Sequence, residues 1–196
     1  MILYFDTETT GLHPGQICQL SYIMQDKHGV KAKNFFFTVD FVEYSALLVH
    51  GFSVEKLKSL SCGKTFSDHF LEIQQDFSSA DVIVSHHTAF DFSFMRTEYE
   101  RLNQTFFIKE SFCTMKESTP ICKILRKSGA GYKYPKLSEL CAFWSISDAQ
   151  ILSSTRSLFG AKVGYHDARF DTTAVYLAAN VGMEKEKNFN KLRCFL

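Results

Sequence analysis

The spacing of apolar residues predicts strands in the first part of the chain. The apolar run Ile2 to Phe5 is typical of a central strand covered on both faces. A second run, Ile17 to Met24, is followed by a polar turn at Asp26 to Gly29 and by a stretch rich in strand-forming residues, 34–39. Two strands joined by a short turn form an antiparallel hairpin, so we predict a mixed sheet.

After residue 53 the apolar spacing changes to three and four residues, which predicts helices. Phe66, Phe70, Ile73 and Phe77 define one amphipathic helix. A short β-branched strand, 81–85, leads into a second helix from about Ala89 to Asn103, with Thr88 as its N-cap. The same patterns predict a short helix from 54 to 60, a fifth strand within 106–115, and helices at 137–144, 151–159 and about 167–181.

Length and composition favour one folded domain. The chain has 196 residues, 45% of them hydrophobic, and 20 phenylalanines, which is enough apolar material for a core. We expect a domain at 1–182 and a short polar tail at 183–196, frayed until Leu192. Its apolar residues either pack on this domain or contact a partner; they are Phe189, Leu192, Phe195 and Leu196.

The charge and hydropathy of the chain exclude a membrane protein. No apolar run approaches the roughly 20 residues of a spanning helix, and no basic segment precedes a signal-type stretch. We therefore expect a soluble, cytoplasmic protein that has no membrane contact. The formal net charge is +1, so affinity for a polyanion must come from a local patch.

Such a patch is predicted at residues 109–136. This segment holds seven basic and two acidic residues, and it also contains Gly129, Gly131, Tyr132 and Tyr134. A flexible basic loop with aromatic residues suits a single strand of nucleic acid, through phosphate contacts and base stacking. A solvated linker between helices explains the same composition equally well.

Two acids at the end of the first strand are the first candidates for chemistry. Asp6 and Glu8 are two positions apart, so their side chains point to the same side of an extended strand. Carboxylates this close raise each other's pKa unless a cation neutralises them, and Mg²⁺ and Mn²⁺ prefer oxygen ligands. The pair therefore indicates a metal site, or else two acids that flank a turn before Gly11.

Two further acids and a histidine lie where the predicted elements can bring them to the same place. Asp91 is in the first turn of the helix that follows the 81–85 strand, and Asp171 is near the start of the last helix. His166 and Asp171 can meet if His166 lies in the Gly164–Tyr165 loop, just before an N-cap at Asp167. Each residue alone also has a purely structural explanation, such as stabilising a helix N-terminus.

Taken together, these residues occur in three motifs that resemble those of the DEDDh 3′-to-5′ exonucleases. This family includes the proofreading epsilon subunit of bacterial DNA polymerase III. The matching stretches are Phe5-Asp6-Thr7-Glu8-Thr9-Thr10-Gly11-Leu12, His86-His87-Thr88-Ala89-Phe90-Asp91-Phe92-Ser93-Phe94 and His166-Asp167-Ala168-Arg169-Phe170-Asp171, in the family order. Leu48-Val49-His50-Gly51-Phe52 also resembles a family stretch. The resemblance implies an α/β, ribonuclease-H-like fold: a mixed five-stranded sheet with helices on both faces.

The resemblance also implies roles for individual residues. Asp6, Glu8, Asp91 and Asp171 would hold two divalent cations, Mg²⁺ or Mn²⁺, and His166 would be the general base. The nucleotide at the 3′ end would be bound by five residues, among which Leu12 would wedge against its base: Thr9, Gly11, Leu12, His50 and Phe90. His87 stands where the family commonly has asparagine, and Arg169-Phe170 is bulkier than usual, which leaves the details of the substrate pocket open.

The predicted function is that of a 3′-to-5′ exonuclease. It would release nucleoside 5′-monophosphates from single-stranded or frayed DNA ends in proofreading or repair, alone or with a replication or repair protein partner. An exoribonuclease is the first alternative, because metal-binding motifs do not distinguish a 2′-OH from a 2′-H. A module that only binds nucleic acid or protein is the second, although four converging acids repel phosphates unless metals are bound.

Overall fold

A mixed sheet forms the centre of the molecule in the computed structural model, which describes residues 1–160, 163 and 166–196. Its five strands lie in the order β3-β2-β1-β4-β5. The antiparallel pairs are β1 with β2 and β2 with β3, and the parallel pairs are β1 with β4 and β4 with β5. The predicted mixed five-stranded sheet is thus confirmed. The strands are β1 (Ile2–Thr9), β2 (Ile17–Asp26), β3 (Gly29–Phe36), β4 (Val82–Ser85) and β5 (Ser111–Cys113).

Helices cover both faces of this sheet, as predicted. On one face, α3 and α4 pack against Leu3 and Phe5 of β1, and on the other α6, α8 and α9 pack against Ile2 and Tyr4. The alternation of side chains along β1 separates these two cores. The helices are α1 (Tyr44–His50), α2 (Val54–Leu60), α3 (Phe66–Ser79), α4 (Thr88–Arg101), α5 (Thr114–Cys122), α6 (Leu137–Phe143), α7 (Asp148–Phe159), α8 (Ala168–Lys185) and α9 (Lys187–Asn190).

The prediction for the third strand was wrong in its position. The strand occupies Gly29–Phe36 instead of 34–39, and it begins inside the predicted turn. As an edge strand it exposes Val30 and Lys31, so its apolar pattern is weak. Phe37 lies beyond the strand and is still buried, with its ring 5.2 Å from the ring of Phe66 on α3. The aromatic run was typical of a strand, but its last part fills the core from a loop.

The helices α4 and α7 begin at other residues than predicted, since α7 starts at Asp148, and the helices α1 and α5 were not predicted. Thr88 lies inside α4, and His87 is the N-cap residue instead. The short helix α1 was not predicted at all, because its sequence exposes apolar residues such as Leu48 and lacks an amphipathic pattern. Its only clear sequence signal is Gly51, which ends the helix with a φ of +69°.

The C-terminal tail, 183–196, is ordered, so the prediction that it is frayed until Leu192 was wrong. The helix α8 continues to Lys185, and α9 is followed by a 3₁₀ turn over Lys191–Phe195. The side chains of Phe189 and Leu192 are fully buried in the core on the α8 face of the sheet. Phe189, Leu192 and Phe195 therefore pack on their own domain, whereas Leu196 is exposed. Within the described residues, no helix is both long and apolar enough to cross a membrane.

The topology brings three chain segments to one edge of the sheet. Because β1 and β4 are parallel neighbours, the carboxyl end of β1 lies beside the loop that leads from β4 into α4. The helix α8 packs on β1 and β2, and the Thr172 hydroxyl in its first turn donates a hydrogen bond of 3.1 Å to the Ser21 carbonyl. The ends of β1 and β4 and the start of α8 thus meet where the three predicted motifs lie.

Candidate active site

Three acids converge at the carboxyl end of β1. Carboxylate oxygens of Asp6, Glu8 and Asp171 all lie within 4.8 Å of one another, and each side chain is partly buried. Asp6 and Glu8 share the face of β1 that packs on α8, as their spacing predicted, and Asp171 lies in the first turn of that helix. The sheet and the helix therefore build one cluster of like charges.

Burial and mutual repulsion raise the pKa values of these carboxyls. Burial is the largest cause for Asp6, whose pKa is raised well above its usual value, and the Asp171 charge is the next. The same two causes raise the pKa of Glu8 to about 8. Burial, followed by the Asp167 charge, raises that of Asp171 to about 7. At neutral pH the cluster therefore favours any species that supplies positive charge, whether protons or a cation.

Asp91 approaches the cluster from α4. It lies in the first turn of this helix and is only 3% exposed. The Thr7 hydroxyl donates a 2.9 Å hydrogen bond to its carboxylate, so Asp91 is fixed to β1 between the positions of Asp6 and Glu8. Burial raises the pKa of Asp91 to about 6, and its charge in turn raises the pKa values of Asp6 and Glu8.

His166 lies at the rim of this cluster. It is exposed and directly precedes the N-cap of α8, Asp167, whose side chain accepts a hydrogen bond from the Arg169 N–H. Its φ of +56° is uncommon for a residue other than glycine. His166 and Asp171 line the same cavity, of about 390 Å³. The predicted neighbours of His166 in the loop, Gly164 and Tyr165, lie outside the described residues.

A second cavity, of about 240 Å³, is lined by Glu8. Its walls contain all of the residues that the sequence assigned to nucleotide binding. Leu12 projects at its mouth with 75% of its surface exposed. The cavity is lined by Thr7, Glu8, Thr9, Gly11, Leu12, Ser45, Ala46, Val49, His50 and Phe90, so α1 supplies a wall that the sequence did not predict.

Hydrogen bonds join both ends of α1 to the carboxyl end of β1. The Glu43 N–H donates a 2.8 Å hydrogen bond to the Thr10 carbonyl. At the other end, His50 Nδ1 accepts from the Phe52 N–H at 3.0 Å, so the proton lies on Nε2, which donates to the Thr9 carbonyl at 3.2 Å. Burial lowers the pKa of His50, which favours this neutral ring.

His50 is therefore engaged chiefly with the backbone. Its side chain is 8% exposed, and its ring stacks on that of Phe52 with 5.1 Å between centroids. It borders the nucleotide-sized cavity, but both ring nitrogens already have backbone partners. A Cβ atom at position 11 would meet the Glu43 carboxylate, the flexible end of a side chain that would then have to shift.

The donor set fits a hard divalent cation. Asp6, Glu8 and Asp171 offer only oxygen atoms, which Mg²⁺ and Mn²⁺ prefer, and they lie within 4.8 Å of one another. Asp91 lies outside this group of three, although its charge raises the pKa values of Asp6 and Glu8. The residues present thus match what such an ion requires.

Comparison with known proteins places this geometry in context. No protein-family model matches the chain. It is 32% identical to the DNA polymerase III subunit epsilon of Rickettsia conorii over 109 residues, 53% of this chain and 46% of that protein. It is 27% identical to the same subunit of Rickettsia prowazekii over 165 residues, 81% of this chain and 66% of that protein. The chain thus spans between about half and two thirds of the length of these curated relatives.

Solved structures show the same fold over almost the whole chain. Exonuclease I from Methylocaldum szegediense superposes with a TM-score of 0.72 and 17% identity, covering 98% of this chain and 42% of that one. A zinc-bound complex of E. coli exonuclease I with single-stranded DNA gives a TM-score of 0.74 and 16% identity over 98% and 42%. The predicted resemblance to the DEDDh exonucleases is confirmed. The ribonuclease-H-like fold is confirmed with it.

Two sites depart from the DEDDh pattern, His87 and Arg169-Phe170, and their side chains contact groups other than the clustered acids. The His87 ring is exposed and stacks on the ring of Phe90, with centroids 5.9 Å apart, so it extends the aromatic wall of the 240 Å³ cavity. The Arg169 guanidinium lies 5.4 Å from the Phe36 ring centroid. Phe170 is buried with Cys141 and Ile151. All three side chains thus lie outside the group of converging acids.

Asp167 is the residue whose importance the sequence did not reveal. Beyond capping α8, it adds negative charge that raises the pKa values of Asp6, Glu8 and Asp171. Arg169 holds it with two short hydrogen bonds, of 2.8 and 2.6 Å, and Gln19 donates a third of 2.9 Å. The spacing of two between Asp167 and Arg169 was the available signal, since it allows an ion pair beside the converging acids.

Proposed function

We propose that this chain is a 3′-to-5′ exonuclease that uses two divalent cations, Mg²⁺ or Mn²⁺, to remove nucleoside 5′-monophosphates from single-stranded or frayed DNA ends. One observation carries the proposal: the converging acids border two cavities, since Glu8 lines the apolar one and Asp171 lines the one that contains His166. A phosphodiester bridging the two cavities would pass over Asp6, Glu8 and Asp171.

In this proposal each residue has a defined task. The base and sugar of the 3′-terminal nucleotide occupy the cavity formed by α1 and the end of β1, with Leu12 wedged against the base and Phe90 beside it. The backbone at Thr9 and Gly11 sets the depth of this cavity. His166 accepts the proton of the attacking water, a general-base role in which histidine is the most common side chain.

The acids would hold the cations. Asp6, Glu8, Asp91 and Asp171 would serve as ligands. When bound, two such ions lower the pKa of the attacking water and stabilise the negative charge on the departing 3′ oxygen. Before catalysis, the carboxylates alone repel the phosphate, so substrate binding and ion binding support each other.

DNA is favoured as the substrate over RNA. The support comes from the relatives, which are named as DNA polymerase III subunits, and from the exonuclease I complex with single-stranded DNA. We further propose a cytoplasmic enzyme in which residues 1–182 carry the active site and residues 183–196 complete the core. Assembly with a replication or repair protein remains a prediction from the resemblance.

The proposal is tested with a 3′-labelled single strand in Mg²⁺ or Mn²⁺. Wild-type protein should release labelled mononucleotide, and Asp6→Ala and His166→Ala should each reduce the rate by at least about a hundredfold, since both groups act on the reacting atoms. Matched DNA and RNA 3′ ends would identify the preferred sugar. Mononucleotide release that persists in both variants would refute the assignment.

A further inference from the structure

The basic segment predicted from the sequence forms a small arm, which we define as residues 123–136. Within it, the chain reverses as a two-stranded hairpin. The Lys133 N–H donates to the Ile124 carbonyl at 2.8 Å, and the Arg126 N–H donates to the Gly131 carbonyl at 3.1 Å. Gly129 and Gly131 allow this turn with φ values of +75° and +74°. The arm is thus a solvated hairpin that links α5 to α6.

The arm's surface is strongly basic. Residues 123–136 contain five Lys and Arg residues and no Asp or Glu. Glu139 neutralises one of them, since both of its carboxylate oxygens lie 2.6 Å from Lys133 Nζ. The remaining four are exposed: Lys123, Arg126, Lys127 and Lys136. Positive charge is therefore concentrated on one short, projecting element.

Exposed aromatic side chains lie next to these charges in the arm. Tyr132 is 41% and Tyr134 58% exposed, and Leu125 is also exposed at the hairpin's bridge to Tyr132. Exposed tyrosines next to lysines match the two recurring needs of a single-stranded nucleic acid, base stacking and phosphate neutralisation. An acidic peptide would be attracted by the lysines, but it would leave these aromatic faces without a stacking partner.

The arm is fixed beside the candidate active site. His86 of the second motif bridges it to the sheet: Nε2 donates to the Pro135 carbonyl at 3.0 Å, and Nδ1 lies 3.0 Å from the Thr114 hydroxyl. Lys136 at the base of the arm lines the same cavity as His166 and Asp171. The arm thus lies across the acids from the cavity proposed for the terminal nucleotide.

We propose that the arm binds the substrate strand upstream of the scissile phosphodiester, with lysines on its phosphates and tyrosines against its bases. This inference rests on the proposed function for the direction of the strand. The strand would run from the cavity at Leu12 across the acids to Lys136, and then along the hairpin. Longer substrates would gain contacts that a dinucleotide cannot make.

The test compares two triple variants. In the arm variant, Lys123→Gln, Lys127→Gln and Lys136→Gln remove three charges. In the control, Lys27→Gln, Lys31→Gln and Lys187→Gln remove three exposed charges elsewhere. Lys27 and Lys31 lie at the β2–β3 turn, which the register places at the end of β1 opposite Glu8. Thermal unfolding checks that both variants are folded.

Binding is measured by fluorescence anisotropy with a labelled dT12 strand in Ca²⁺ over a range of salt concentrations. Three lost phosphate contacts on a single strand should reduce the salt slope by about 2 and weaken binding about 10- to 100-fold at 0.1 M salt. The control variant should match wild type. An unchanged slope in the arm variant, or tighter binding of a poly-glutamate peptide than of the strand, would overturn the proposal.

A second measurement separates this inference from the proposed function. The ratio of kcat/KM for a 12-mer to that for a dinucleotide should fall about tenfold or more in the arm variant. If wild type hydrolyses neither substrate, the proposed function fails, and the anisotropy result still decides whether the arm binds nucleic acid. If both are hydrolysed and the ratio is the same in wild type and the arm variant, the arm is not the upstream site.

Discussion

Charged groups are arranged differently at the two ends of the central strand, β1. Where β1 finishes, Asp6, Glu8 and Asp171 gather like charges whose pKa values are raised. Where β1 begins, charges are paired: the Met1 ammonium lies 2.7 Å from Asp81, which also meets Lys109 at 3.0 Å. The end with the clustered acids, which is the active end in the proposed function, thus concentrates negative charge. At the other end, here called the closed end, the charges are paired.

The C-terminal segment completes the closed end. The Met1 ammonium also donates to the Phe195 carbonyl at 2.8 Å, and α9 places Phe189 against Trp144, with 5.1 Å between ring centroids. The ring of Phe189 lies so close to α8 that a Cβ atom at Gly182 would collide with it. These contacts stabilise the fold at the end away from the acids. They offset the repulsion among the clustered carboxylates, which opposes folding.

Truncation of this closed end should have the largest effect on stability. Phe189→Ala empties a fully buried site between Trp144 and Phe112, so we expect the free energy of unfolding to fall by about 3–5 kcal/mol. Urea unfolding measures this. Phe107→Ala, at a side chain that is 71% exposed, is the matched control and should change stability by less than about 0.5 kcal/mol. Equal effects of the two changes would mean that the tail does not contribute to the core.

The sequence predicted the active end better than the closed end. Strand alternation brings Asp6 and Glu8 to one face, and capping logic places His166 before Asp167, because both depend on local geometry. The burial of Phe189 depends on the distant residues Trp144 and Gly182, which no local pattern connects to it. Polar spacing in 183–190 therefore suggested a frayed tail.

The helix α1 and the Asp167–Arg169 pair were missed for similar reasons. The helix is stabilised by its hydrogen bonds to Thr9 and Thr10, which are more than 30 positions away, and not by an amphipathic pattern. The position of Asp167 in the sequence is fully explained by its role as an N-cap. Its second effect, raising the pKa values of Glu8 and Asp171, therefore could not be read from the sequence. Tertiary contacts, in both cases, supply what the local sequence does not encode.

At the active end, removing one charge should stabilise the metal-free protein. The pKa of Glu8 is about 8 in the folded protein and near 4.5 when unfolded, so the folded state binds the proton more tightly between these values. Wild-type stability should therefore fall as pH rises from about 4.5 to 8 in EDTA. Glu8→Gln removes this proton-linked loss of stability and should be more stable than wild type at pH 8, by up to about 4 kcal/mol, with little difference at pH 4.5.

Metal addition provides the check on this prediction. Thermal unfolding is followed at pH 6 and pH 8, in EDTA and in Mn²⁺. Mn²⁺ should raise the melting temperature of wild type, more so at pH 8 because fewer protons then compete for the carboxylates, and it should have a much smaller effect on Glu8→Gln. If Mn²⁺ stabilises the variant and wild type equally, Glu8 does not take part in binding the ion.

At the closed end, neutralising one acid should lower the free energy of unfolding instead of raising it, and by the smallest amount of the changes considered. Asp81→Asn removes the partner of both the Met1 ammonium and Lys109, whose attraction holds the pKa of Asp81 below its usual value. Because Asp81 is largely solvated, the loss should be at most about 1 kcal/mol, confined to pH values above about 4 and reduced by added salt. Urea unfolding at pH 7 in 0.05 and 0.5 M NaCl measures it. A gain in stability, as expected for Glu8→Gln, would contradict the distinction between the two ends, since it would mean that Asp81 also carries uncompensated charge.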